Sequence, residues 1–291
     1  MFKYKGVGVV SDGGFITDYL QLKELFINKK LYKSLSLLCA AELDVMILPT
    51  MVIFDYSDPL VCDIAKDWGL PLMIRMDYSF FPEKKTLGGV PLYSIEKIRK
   101  VSSFLFKENC VPILHPNIER NEDMYSVGVL LRKNDDVVLF EIVGQGFDAS
   151  DLRLGAFSPH ETFRYDLLSD NVTERYILSP ADYEKQRKEK CKKVLAYKNY
   201  VDYVNESGTL LSSISEFIPS NYLKYFDVDI LPEQYRPIPK SLIKSLIPIV
   251  FSIKYEMASA LPYSEYYVVS LSYTYNYGWL LWDVYGEWYK R

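Results

Sequence analysis

Apolar residues in this sequence follow two periods, separated by turn residues. Residues 6–10 are short, apolar and glycine-containing, and Ser11-Asp12-Gly13-Gly14 supplies turn chemistry, which predicts a strand and a loop. From Thr17 the positions Tyr19, Leu20, Leu22, Leu25 and Phe26 approximate the helical period. A second helix is expected over 31–43 and a strand over 45–54. The next stretch is punctuated most clearly. Ser57 is a good N-cap, Pro59 suits the first turn, and Leu60, Val61, Ile64, Ala65 and Trp68 form one apolar face ahead of Gly69. A strand over 70–76 follows, carrying Arg75 near its end. Residues 84–90 read as a loop, and Ser94 caps a helix whose Ile95, Ile98, Val101 and Leu105 face inward.

Period-two patterning then takes over. A strand over 111–114 meets a break at Pro116, and strands over 125–131 and 137–143 flank the turn Lys133-Asn134-Asp135-Asp136 as a hairpin. Residues 144–161 are polar, hold three glycines and read as an ordered loop. A long helix runs from Ser179-Pro180 to about Asn205, its charge run 184–190 forming a solvated face. Pro232, Pro237 and Pro239 mark a connector, a helix covers 241–260, and two strands, 266–275 and 279–285, close the pattern.

Composition narrows the function classes. The 291 residues carry a net charge of −4 with basic residues spread throughout, so nucleic acid is not the expected partner. Cys39, Cys62, Cys110 and Cys191 form no C-x-x-C pair and read as reduced core thiols. No apolar run approaches the length of a membrane span, and the N-terminus is broken by glycine and aspartate before any export h-region, so the expected compartment is the cytoplasm. Many of the 25 tyrosines lie after Tyr176, culminating in the stretch from Tyr273 to Tyr289, where they serve either as core packing or as a surface for a protein partner.

Several motifs fail. Gly6-Val7-Gly8 continues into Ser11, and no acid stands about 20 residues further on, so the dinucleotide fingerprint is not met. There is no phosphate-loop motif and no nucleophile elbow, and two histidines exclude a multi-histidine metal centre.

What remains is an order: helix, Gly69-Leu70-Pro71, strand ending in Arg75, glycine loop, helix, strand, acid-bearing hairpin. In this order the sequence resembles the ATP-grasp superfamily over residues 55–165. Gly69 to Arg75 looks like that superfamily's strand bearing a phosphate-contacting cation. Thr86-Leu87-Gly88-Gly89-Val90 looks like its glycine lid, and 111–119 is similar to its hinge, with Glu119 at the ribose. The resemblance implies an α+β fold of mixed and mainly antiparallel sheets in two or three lobes: 1–66, a lid-like 67–118, and 119–291. It implies ATP and Mg2+ as cofactors, ATP held between lobes, and a small-molecule or peptide carboxylate activated as an acyl phosphate for attack by an amine or related nucleophile. Two departures stand. The family's strand usually carries lysine, so Arg75 is either a bidentate phosphate ligand or a surface ion-pair partner. The family's Glu-x-Asn metal motif is not found, which leaves open a non-catalytic nucleotide-binding or protein-interaction subunit on the same scaffold.

Glu141-Ile142-Val143-Gly144-Gln145-Gly146-Phe147-Asp148 and the following Asp151 and Arg153 form a second constellation. Acids beside glycines suit a magnesium and phosphate cradle, with Glu141, Asp148, Asp151 and the distant Asp283 as candidate metal ligands. The competing reading is a loop in which Asp148 caps a turn and Arg153 pairs with Asp151. Arg153 is the candidate contact for the acceptor or the γ-phosphate. His160-Glu161 is either a proton-transfer pair or a structural histidine beside an acid.

Overall fold

The computed structural model describes residues 6–11, 14–78, 89–118, 125–144, 146–147, 152, 157–210 and 231–286, without the side chains of 193–197. The chain divides into two units, one formed by Met1–Leu38, Leu48–Glu119 and Lys192–Phe226, the other by Cys39–Ile47, Arg120–Cys191 and Asp227–Arg291.

The first unit is built on strands β1 (Val7–Ser11), β2 (Gly14–Ile16), β3 (Thr50–Ile53), β4 (Leu72–Tyr78), β5 (Val90–Leu92) and β6 (Cys110–Pro116), in the order β2-β1-β3-β6-β4-β5. Only β1 and β3 run parallel, so the sheet is mixed. Residues 1–66 and 67–118, expected as separate lobes, thus share one sheet. The strand expected over 45–54 is confined to Thr50–Ile53. Pro116 does not break β6 but ends it.

Helices α1 (Tyr19–Asn28), α2 (Tyr32–Glu42), α3 (Pro59–Trp68) and α4 (Ile95–Lys107) follow their sequence signals. The cap of α3 is Asp58 and not Ser57: Asp58 Oδ1 accepts from the Leu60 N–H at 2.9 Å, while Gly69 at φ 79° stops the helix. Ser94 caps α4 as expected, its Oγ accepting from the Lys97 N–H at 3.3 Å. Val61, Ala65 and Trp68 of α3 join Ile98, Val101 and Leu105 of α4 over Ile53, Leu72, Ile74 and Leu114 of the sheet. Gly8 also finds its reason here, for a Cβ on it would lie 2.2 Å from the Phe15 ring. That glycine serves close packing of β2 on β1, in keeping with the failed dinucleotide motif.

The second unit holds an all-antiparallel sheet of β7 (Tyr125–Arg132), β8 (Val137–Gly144), β9 (Glu161–Asp166), β10 (Asn171–Ile177), β11 (Tyr266–Thr274) and β12 (Gly278–Tyr285), in the order β10-β9-β8-β7-β11-β12. Register aligns Val284, Val269, Val129, Phe140 and Phe163 across five strands, all nearly fully buried, with Phe140 and Phe163 stacked at 4.5 Å. This row is the core face. The long helix α5 (Pro180–Ser207) begins in this unit, and α6 (Lys240–Ser252) continues into a π-helical turn over Ile253–Met257. The late aromatics divide: Tyr267, Trp279 and Tyr285 are buried, whereas Tyr275 and Tyr277 stand exposed at the β11–β12 turn. All four cysteines are free thiols, and burial pushes the Cys110 thiol up to about 11. Among the described residues no helix is long and apolar enough to cross a membrane.

Candidate functional site

Alternation along each strand assigns the opposite face of the second sheet a different chemistry. Register places Asp283, Ser270, Gly128, Glu141 and Thr162 side by side on neighbouring strands β12, β11, β7, β8 and β9. The next row contains Ser272 and Ser126, whose hydroxyls bond at 2.9 Å. A stripe of small and polar side chains flanked by two acids thus crosses a sheet whose other face is Val and Phe. At its middle, Gly128 leaves the backbone bare. A Cβ there would make only ordinary contacts, 3.7 Å to Leu152 and 3.9 Å to the Glu141 carbonyl, so packing does not demand the glycine.

The two acids differ. Glu141 is half-buried, and burial raises its carboxyl above the ordinary range. Asp283 is buried, and its Oδ2 accepts from the Tyr285 hydroxyl. Neighbouring strands lie about 4.8 Å apart, so three steps separate these acids by about 14 Å at Cα. That exceeds the combined reach of the two side chains and two metal–oxygen bonds of about 2.1 Å. Among the described residues no group of three or more His, Cys, Asp or Glu is arranged to hold a metal. The described residues therefore do not by themselves fit a magnesium centre. Asp148 and Asp151, the other candidate ligands, lie outside the described residues, as do Arg153, Gly88 and Glu119.

His160 and Glu161 are placed together by sequence and separated by structure. The loop expected through Glu161 ends earlier: the His160 N–H donates to the Ile142 carbonyl at 2.8 Å, and Glu161 opens β9. His160 Nδ1 accepts from the Gly144 N–H at 3.2 Å, which puts the ring proton on Nε2. Nε2 is buried without a hydrogen-bond partner, and the rings of Phe147, Tyr183 and Tyr235 surround the imidazole at 4.4, 4.8 and 5.1 Å. Burial pushes its pKa down to about 3.

Glu161 ends an otherwise apolar row with Val127 and Ile142 on the core face, and its side chain is 0% exposed. Oε1 receives the Arg175 guanidinium, Nε at 2.7 Å and Nη2 at 2.6 Å. Oε2 accepts from the Tyr235 hydroxyl at 2.9 Å and the Ile238 N–H at 3.1 Å. Four donors converge on one carboxylate sealed from water, which is the geometry of an anchor. The proton-transfer role envisaged for Glu161 has no open lone pair in this arrangement.

In the first unit, Arg75 lies on β4 opposite Ile113, half-exposed, on the same face as His115. Burial first, and the Arg75 charge second, push His115 down to about 3. Two residues on, buried Asp77 accepts from the Ser34 N–H at 2.7 Å and its hydroxyl at 2.8 Å, docking the strand on the first turn of α2. Gly89 has φ 83°, and its N–H donates to the Ile74 carbonyl at 2.9 Å. Gly89 thus supplies a turn conformation whose amide is already engaged. Gly128, Ser270 and Thr162 were missed in the sequence, although a glycine interrupting the apolar run 125–131 was a usable signal.

No protein-family model matches the chain, and no curated protein matches its sequence. Solved structures align with nearly all of it. Ca. Korarchaeum cryptofilum ACD1 in complex with coenzyme A aligns over 92% of this chain and 98% of that one at 12% identity and a TM-score of 0.47. D-alanine–D-alanine ligase from Bacillus anthracis aligns over 92% and 64% at 10% identity and 0.43. The macrocyclase MdnC from Microcystis aeruginosa, bound with precursor peptide MdnA, aligns over 91% and 59% at 10% identity and 0.40. At such scores and identities the likeness assigns no residue a role.

Proposed function

We propose that this protein binds ATP and acts as an ATP-dependent ligase of ATP-grasp type, joining a carboxylate to an amine or related nucleophile. The observation that carries the reading is the polar row Asp283, Ser270, Gly128, Glu141 and Thr162, in register on one face of an antiparallel sheet. Gly128 brings no side chain to the row, and the serine and threonine hydroxyls offer donors to phosphate oxygens. Arg75 supplies a planar guanidinium that suits phosphate in the first unit. In the reaction a substrate carboxylate oxygen bonds to the γ-phosphorus as ADP leaves. The nucleophile then bonds to the acyl carbon as phosphate leaves. Gly88 and Glu119 keep the lid and ribose roles the sequence resemblance implies, Asp148 and Asp151 remain candidate magnesium ligands, and Arg153 is the candidate contact for the acceptor or the γ-phosphate. No step is assigned to magnesium, because Glu141 and Asp283 cannot share one ion.

That same separation favours a second reading, a non-catalytic nucleotide-binding or protein-interaction subunit on this scaffold. Calorimetry with ATP, with and without magnesium, followed by an assay for ADP formation in mixtures of carboxylates and amines, separates the two. Binding with ADP formation supports the ligase. Binding without ADP formation in any mixture supports the subunit, and an absence of binding removes both nucleotide readings.

A further inference from the structure

The inward stripe of α6 is apolar, with Ile243, Leu246, Ile247 and Val250 buried, and the π turn continues it with Ile253 and Met257. One charged residue interrupts it. Lys254 is 9% exposed, its ammonium donates to the Asp135 carbonyl oxygen, and it lies 5.5 Å from the Tyr255 ring centroid. Among the described residues no carboxylate pairs with it. A buried ammonium with one neutral acceptor keeps its full charge and further donors unmatched, a state proteins avoid unless a counter-ion arrives. π turns of this kind recur at functional sites.

Lys254 lines a cavity of about 210 Å³ together with Arg132, Lys133, Ser259, Tyr263 and Tyr267. No acid lines it. The Lys133 ammonium stands 4.3 Å from the Tyr263 ring centroid. The acids of the adjoining β7–β8 turn are engaged elsewhere, since Asp135 Oδ1 accepts from the Val137 N–H at 2.9 Å and Asp136 bonds the Tyr255 hydroxyl. The space equals about seven waters at about 30 Å³ each, enough for a phosphate group and a small body but not for a nucleoside triphosphate.

We infer that this cavity is a binding site for a small organic phosphate, separate from the row around Gly128 to which ATP binding is assigned above. Lys254, Lys133 and Arg132 would match the dianionic head, with Ser259 donating a further bond, and the Tyr263 and Tyr267 rings would hold the organic body. Phenyl phosphate, inorganic phosphate and benzoate, titrated into the full chain at constant ionic strength by calorimetry, test it. Phenyl phosphate should bind at least tenfold more tightly than either other anion. Lys254→Met and Lys133→Ala should each weaken it tenfold or more, while Gly128→Val leaves it unchanged. Lys133 is exposed, so its variant reports even if Lys254→Met fails to fold. No binding to wild type, equal affinity for benzoate, or wild-type affinity in Lys133→Ala would overturn the assignment.

Discussion

A single carboxylate shows how far chemistry depends on surroundings. Glu161 carries no water-facing oxygen and holds Arg175, Tyr235 and the Ile238 amide together. Removing one partner of a buried charge pair costs about 3–5 kcal/mol, and Arg175, 30% exposed, retains some water, so Glu161→Ala should lose about 3 kcal/mol in urea unfolding. An unchanged midpoint would contradict the anchor role. The two histidines make a complementary prediction. His115 and His160 are held down to about 3 from 6.5, so the unfolded chain takes up protons that the folded chain refuses. Their stability contribution is complete above pH 6.5 and drains as pH falls towards about 3, at up to about 2.7 kcal/mol per pH unit for the pair. Glu141, with its carboxyl raised, works in the opposite sense at the acid end. Urea midpoints between pH 7 and 5 should fall, and His160→Phe should roughly halve the slope. A flat profile would sink this account.

At the scale of the element, the polar row makes Gly128 the informative position. Nothing crowds a Cβ there, and a strand glycine costs about 0.5–1 kcal/mol, so Gly128→Ala should leave thermal stability equal or slightly higher. A drop of several degrees would mean that packing had fixed the glycine. The hairpin β7–β8 was legible because 125–131 and 137–143 alternate around a strong turn, and α3 and α4 because caps and apolar faces agree. The hairpin β9–β10 was not, since β10 is exposed almost throughout and shows no inward face to read. Nor could the sequence reveal that Glu141 and Asp283 share a row, because register belongs to strand pairing over more than a hundred residues. The anchoring of Glu161 was not legible either, because its partners Arg175, Tyr235 and Ile238 meet it only in the fold.

For the whole molecule, a mixed sheet with Arg75 in one unit and an antiparallel sheet with a polar face in the other are both explained by burying one side of each sheet in apolar packing. What the polar row does is the central question. It is tested most directly by calorimetric titration of ATP, with magnesium present, into wild type and Gly128→Val, with circular dichroism confirming that the variant folds. A side chain planted in the middle of the row should remove binding, or weaken it at least tenfold, in a chain as stable as wild type. If the folded variant binds ATP as wild type does, the nucleotide does not sit on this face and the proposed site is wrong.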